Sequence, residues 1–356
     1  MKERKQHRQT IKEKDDIESR AIPRPILQRE HNLLPGMELS CYEIDEKLGL
    51  KLCELEDALE THCCENGQSD SPTTEENQVH HWIDAVIRDD YDAKELSAII
   101  QKITLSPFLR RHLSNPHQIQ TPHVLSLSSA MFLVMRVLPP EGDQSNKIRF
   151  VSALCVDGLL LTVTNCPTEG KAAHHTRSLN LSARKSIEER ELPDPSISGA
   201  LSMWLLIHVQ RVANVAAEIR METYALEEKM DEDVSSVHLD DLSTMKSKVN
   251  RLVAVAEEQL ECLESVKEGE AVSVCVDFSK LKGTMGVVMA TVGATERMSS
   301  RLDKKVTDLR NTYESHQQSR INQRLEVLTV LSAIFLPLSL MAGTFMCMLI
   351  APGVLV

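Results

Sequence analysis

Thr329, Ser332 and Ser339 are hydroxyl side chains set in a run, Val327 to Val356, of thirty residues without Asp, Glu, Lys or Arg. Their spacing of 3 and 7 puts them on one face of a helix, and Leu325, Leu336, Gly343 and Met346 continue the stripe. At about 1.5 Å per residue the run exceeds the roughly 30 Å hydrocarbon core of a bilayer, so it predicts one transmembrane helix. Hydroxyl groups gain nothing from lipid. The stripe therefore faces other helices, or water in a pore made by several copies, and spacing alone leaves both open. Pro337 removes one backbone donor in mid-span and permits a bend. Arg320 and Arg324 stand just before the run and no charge follows it, which places the large N-terminal part on the cytoplasmic or matrix side.

Other chemistry-bearing residues give weaker patterns. Nine cysteines (Cys41, Cys53, Cys63, Cys64, Cys155, Cys166, Cys262, Cys275, Cys347) are scattered, odd in number and without C-x-x-C spacing, the usage of a reduced, intracellular protein. His62-Cys63-Cys64 offers soft-metal ligands, but it borders the turn-like Glu65 to Pro72, which argues against a zinc site. The pairs His80-His81 and His174-His175 lack partner ligands at helical spacing and read as surface residues. Glu218 to Asp241 carries nine carboxylates against Arg220 and Lys229, a solvated helix face or a weak divalent-cation site. With a net charge of −12, nucleic acid is not an expected partner. No phosphate-binding loop, paired His and carboxylate motif or nucleophile elbow appears, so the expectation is not an enzyme and no cofactor.

The positioning elements follow from periodicity. Met1 to Arg29 mixes nine basic with five acidic side chains and has no apolar core of a signal, so residues 1–36 read as a disordered charged tail. Folded structure is expected from Met37 or Cys41, with a helix over Leu48 to Leu59, a strand over Val79 to Val86 and a helix over Asp92 to Ile103. Four strands follow: His123 to Ser128, Ala130 to Leu138, Ile148 to Val156 and Leu159 to Thr164. These predict an α/β domain over 37–180. Residues 181–284 are helical, through Leu201 to Met230 and Leu242 to Val266. From Met285 a coiled-coil-like rhythm, interrupted at Thr295 to Ser299 and Ser315 to Gln318, runs on without Pro before Pro337. One stalk helix (285–326) can thus continue into a membrane helix (327–350), leaving a short tail at 351–356.

The run Asn322-Gln-Arg-Leu-Glu-Val-Leu-Thr-Val-Leu-Ser-Ala-Ile-Phe-Leu-Pro-Leu-Ser-Leu-Met-Ala-Gly-Thr-Phe345 resembles the first transmembrane helix of the CorA family of magnesium channels. Trp82-Ile-Asp, the helix and Leu105-Ser-Pro-Phe-Leu after it, and the strand series are similar to that family's cytoplasmic domain. The resemblance covers about Val79 to Phe345. It implies a homopentamer whose stalk helices line a central pore for divalent cations, magnesium first, with cobalt or zinc as alternatives. It further implies that Asn322 is the polar residue at the cytoplasmic mouth. Leu325, Leu328 and Leu336 would be hydrophobic constrictions, and Thr329 and Ser339 hydroxyl-lined levels. Ser332 and Gly343 complete the expected lining. Amide and hydroxyl rings can hold a hydrated Mg²⁺ through its waters, and a leucine ring can gate by dewetting. Carboxylates of the soluble part are expected to bind regulatory Mg²⁺ between subunits. Where family members carry Gly-Met-Asn, this sequence reads Met346-Cys347-Met348. The expectation is a subunit lacking that signature and a second transmembrane helix. The alternative is a truncated, non-conducting partner that co-assembles with or regulates full-length channels.

Overall fold

The computed structural model describes residues 32–34, 37–45, 49–62, 79–88, 94–103, 106–114, 123–127, 130–138, 149–166, 192, 194–267 and 276–350. Most of the expected tail, and Cys63, Cys64, His174, His175 and Cys275, lie outside the described residues.

Alternating and continuous apolar runs build one eight-stranded mixed sheet: β1 (Asn32–Leu34), β2 (Met37–Asp45), β3 (Gly49–Leu52), β4 (His80–Arg88), β5 (His123–Leu127), β6 (Ala130–Val137), β7 (Arg149–Val156) and β8 (Leu159–Cys166). The order is β1-β2-β4-β8-β7-β6-β5, with β3 pairing β2. Neighbours are antiparallel except β4 and β8, which run parallel from His81↔Leu159 to Arg88↔Cys166. A parallel pair is normally covered on both faces, and every residue of β8 is buried. One face packs on α1 (Leu55–Thr61), α2 (Lys94–Ile103) and α3 (Pro107–Ser114), joining Ile83, Phe132 and Leu161 to Leu59, Ile100 and Leu109. The other packs on α4 (Ile197–Glu232) and α5 (Leu239–Lys267), against which α6 (Lys282–Ile350) lies in turn, gathering Trp82, Leu133 and Leu160 with Leu201, Leu263 and Val288 into one core.

Trp82-Ile-Asp is explained by this layering. Trp82 and Asp84 share the face toward α4: the Trp82 Nε1 donates to Thr162 Oγ1 at 2.9 Å, which donates to Asp84 Oδ1 at 2.7 Å. Ile83 points into the opposite layer. Between β7 and β8 the chain turns at Gly158 with φ +72°, where a Cβ would lie 2.5 Å from His62 Cε1. The start of α4 is set by Ser196, whose hydroxyl accepts from the Gly199 N–H at 3.2 Å.

Three expectations are corrected. Leu48 to Leu59 is not one helix: Gly49–Leu52 is the strand β3 against Tyr42–Asp45, and the helix begins only at Leu55. Strand pairing outweighs the chance 3–4 spacing of its leucines. Order begins earlier than Met37, because Asn32–Leu34 pairs with Met37–Leu39. The pair His80-His81 is not a surface feature: His81 is buried and His80 half-buried on β4.

Beyond the sheet α4, α5 and α6 continue as a three-helix bundle, with Val212, Ile219, Leu242, Val249, Leu302 and Val306 among its core. Ion pairs join the same helices: Lys246 to Asp303 at 2.6 Å, Lys248 to Glu222 at 2.6 Å and Lys305 to Glu227 at 2.5 Å. The Lys305 ammonium also lies 4.2 Å from the Tyr224 ring centroid. Each such partly exposed pair contributes about 1 kcal/mol or less, against about 2 kcal/mol for burying one leucine side chain. The apolar seam therefore decides where α6 sits. Thr295 and Ser299, which interrupt the rhythm, are buried with their hydroxyls donating to the Thr291 and Glu296 carbonyls, so the break does not open the seam.

His208 on α4 is buried edge-on to Trp204, and its Nδ1 has no hydrogen-bond partner. Burial, and then the Arg211 charge, lower its pKa from 6.5 to about 3. The folded value lies below the unfolded one, so the unfolded chain takes the proton first. The His208 contribution is fully present above pH 6.5 and is lost as pH falls toward about 3, by at most about 1.4 kcal/mol per pH unit. Melting curves across that range should show the parent losing stability relative to His208→Phe as pH falls. Parallel curves would refute the assignment.

Candidate functional site

The site is the far half of α6. This helix has 69 residues, about 100 Å at 1.5 Å per residue, and continues through Pro337. Its buried seam ends at Leu309, which is 6% exposed, whereas Leu325 is 54% and Leu336 72% exposed. At the changeover Arg320 Nη1 donates to Ser235 Oγ at 3.1 Å, tying α6 to the Val234–Ser236 turn between α4 and α5. Every residue from 321 to 344 is exposed within the single chain. Leaving each such Leu, Ile or Phe in water would forgo about 1.5–3 kcal/mol, so the surface requires lipid or other protein against it. The helix is long and apolar enough to cross a membrane.

All eight expected lining residues lie on this helix. At 3.6 residues per turn, Asn322, Leu325, Leu328, Thr329, Ser332, Leu336, Ser339 and Gly343 fall within an arc of about 120°. Arg320 and Arg324 lie outside that arc and, with Gln323 and Val327, line a shallow surface pocket. The structure thus brings the eight onto one face; among the described residues of one chain nothing stands opposite them.

Hydrogen bonding sets what this face can do. Thr329 Oγ1 donates to the Leu325 carbonyl at 2.7 Å and Ser332 Oγ to the Leu328 carbonyl at 2.8 Å. Each hydroxyl proton is thereby engaged by the helix's own backbone, which turns the oxygen into an outward acceptor. Acceptors suit the hydrogens that a hydrated cation points away from itself. Asn322 Oδ1 accepts from Gln318 Nε2 at 3.2 Å, which fixes the amide at the start of the stripe. A Cβ added at Gly343 would meet nothing within 4 Å, so this chain's own packing does not demand that glycine. Pro337 leaves the Ala333 carbonyl without its helical donor, one more acceptor in the apolar span.

Gln318 was not among the expected site residues. The signal was its i,i+4 relation to Asn322, hidden because Ser315 to Gln318 reads as an interruption of apolar rhythm rather than a polar continuation of the stripe. His62, considered as a soft-metal ligand, instead lies with its Nε2 3.0 Å from His81 Nδ1, the two rings sharing one hydrogen. Burial, then the neighbouring His81, lower the His62 pKa to about 4. Among the described residues no cluster of three or more His, Cys, Asp or Glu side chains is placed to hold a metal ion.

The sequence model of the family described as CorA-like Mg2+ transporter protein matches residues 77–346. The chain belongs to the CorA-like Mg²⁺ transporter family. Its class of activity is divalent-cation transport, and it is a membrane protein of a family whose members form oligomers. Solved structures agree on the fold. Full-length CmaX matches with a TM-score of 0.67 at 13% identity, covering 88% of this chain and 88% of that one. The complete CorA magnesium transporter from Methanocaldococcus jannaschii gives 0.59 at 14% identity, covering 86% of each chain. The ZntB cytoplasmic domain from Vibrio parahaemolyticus gives 0.57 at 10%, covering 80% of this chain and all of that domain. A search of curated proteins gave no match. The CorA-like fold, with its mixed sheet, long helices and one long apolar C-terminal helix, is thus the architecture expected from the sequence.

Leu338 lies outside the stripe, in the middle of the span. Leu338→Arg should lower the fraction of chain that resists alkaline extraction from membranes, since a central arginine costs about 2.5–3.5 kcal/mol on insertion. Unchanged extraction would remove this helix from the membrane.

Proposed function

We propose that copies of this chain assemble around their α6 helices into a divalent-cation channel, with the 322–343 stripe lining the conduction path and Mg²⁺ the principal ion. The observation that carries the reading is the coincidence on one otherwise unpartnered face of an amide, outward-accepting hydroxyl oxygens and leucines at intervals of one to two turns. Mg²⁺ releases water reluctantly, so a path of neutral acceptors can pass the ion with its hydration shell through outer-shell hydrogen bonds. Asn322 would meet the ion first, Thr329, Ser332 and Ser339 would hold it at successive levels, and Leu325, Leu328 and Leu336 would close the path by dewetting. Five copies is the number the family resemblance favours, with the sheet domain on the cytoplasmic or matrix side. One structural relative is a magnesium transporter, which supports Mg²⁺ as the first ion to test. Regulatory Mg²⁺ would then sit between copies, on carboxylates of the soluble part, as the family resemblance suggests.

A second reading rests on Met346-Cys347-Met348. Thioether and thiol groups are soft and poorly suited to a hydrated hard cation. A subunit with this sequence at the end of its stripe fits a role as a non-conducting partner that modulates other channels of the family.

Uptake of Mg²⁺ into liposomes containing only this chain separates the two. Conduction by the chain alone should fall by about tenfold or more in Asn322→Ala, because one lost ion-associated hydrogen bond is worth about 1.5–3 kcal/mol. No uptake from a correctly inserted oligomer would favour the second reading.

A further inference from the structure

The sheet's outer edge holds two thiols that transport does not use. Cys41 on β2 and Cys53, just past β3, carry their Sγ atoms 3.2 Å apart. The pairing of Tyr42 with Leu52 extends to them, and the Cys53 N–H donates to the Cys41 carbonyl at 3.0 Å. Directly opposed, hydrogen-bonded residues of an antiparallel pair have Cα atoms about 5.5 Å apart, inside the roughly 4.4–6.8 Å that a disulfide spans. Closing the bond needs the sulfurs to approach by only about 1.1 Å. Cys41 is buried and Cys53 half-buried, and both border a groove of about 600 Å³. The groove is lined also by Glu43, Lys51, Glu54, Glu56 and Asp57.

We propose that Cys41 and Cys53 form a reactive dithiol, with Cys53 attacking and Cys41 resolving, whose substrates are small neutral or cationic disulfides. The Cys53 thiolate attacks one sulfur of R–S–S–R, forming Cys53–S–S–R and expelling RS⁻, which takes a proton from water. The Cys41 thiol, losing its proton, then attacks the Cys53 sulfur. The Cys41–Cys53 bond forms and the second RSH leaves. Two protein thiols are oxidised by two electrons and one small disulfide is reduced to two thiols.

The division of labour follows from the surroundings. The hydrogen-bonded contact with Cys41 holds the Cys53 thiol below its ordinary value, with Lys51 helping against burial, Glu43 and Asp57. Cys53 is the more exposed of the two, so it meets the substrate first and the buried Cys41, which the same contact and then burial push up, reacts second. Four carboxylates against one lysine, itself paired to Glu43 at 3.2 Å, make the groove mouth acidic and repel anionic disulfides.

The test is peptide mapping and kinetics on the full chain in detergent, using cystamine, hydroxyethyl disulfide and glutathione disulfide as probes. The unsubstituted protein should lose two hydrogens in a single Cys41–Cys53 cross-linked peptide. Normalised to a free thiol, cystamine should react about tenfold faster than glutathione disulfide at low ionic strength, a gap that salt narrows. Cys41→Ser should stop at the mixed disulfide on Cys53, and Cys53→Ser should form neither product. A mixed disulfide that persists on unsubstituted protein, a bridge to any other cysteine such as Cys63 or Cys64, or equal normalised rates for the cationic and anionic probes would overturn the proposal. The peptide map needs no variant, so a substitution that fails to fold does not blunt it.

Discussion

One unbroken helix has to satisfy two solvents. Near its start α6 closes the sheet's second core through Met285, Val288 and Val292, further along it forms a bundle seam through Leu302, Val306 and Leu309, and beyond residue 320 it presents apolar side chains that no other described residue of its own chain covers. A helix is stiff over such lengths because each added residue adds a backbone hydrogen bond. Whatever fixes the seam therefore fixes the direction in which the exposed half leaves the domain. The sheet domain anchors that direction. The doubly covered β4–β8 pair gives α4 an apolar surface to lie on, and α6 packs in turn on α4 and α5.

The exposed half resolves a second conflict. Hydroxyls in hydrocarbon are costly unless bonded, and an ion path needs acceptors. Thr329 and Ser332 meet both demands by donating to carbonyls one turn back, which leaves oxygen lone pairs toward the stripe. Leucines between these levels keep the face apolar enough to insert. The same economy operates at the buried Thr295 and Ser299, where hydroxyls bonded to their own helix cause no break in packing.

Periodicity made much of this legible in the sequence. The buried face of α2, Leu96, Ile99, Ile100 and Ile103, stands at helical spacing, and β6, β7 and β8 were bounded by recognisable turns. The stripe on α6 needed only the knowledge that the segment is helical. Features that depend on register across distant segments were not legible. Leu48, Leu52, Leu55 and Leu59 mimic one helical face although a strand and a helix share them. His81 is buried because β4 lies between β2 and β8, a parallel pairing across more than seventy intervening residues. The approach of Cys41 to Cys53 requires the β2–β3 register, which composition does not encode. What the stripe faces is likewise a property of the assembly.

The central claim is that the stripe, and not the opposite side of α6, faces the ion's path. Single cysteines at Thr329, Ser332 and Leu336, and at Leu331 and Leu338 across the helix, can be probed in liposomes with a water-soluble, membrane-impermeant thiol reagent, taking the unsubstituted chain as baseline. The account predicts labelling at the first three positions, slowed by Mg²⁺, and none above baseline at the other two. Labelling at Leu331 and Leu338 with protection at Thr329, Ser332 and Leu336 would contradict it.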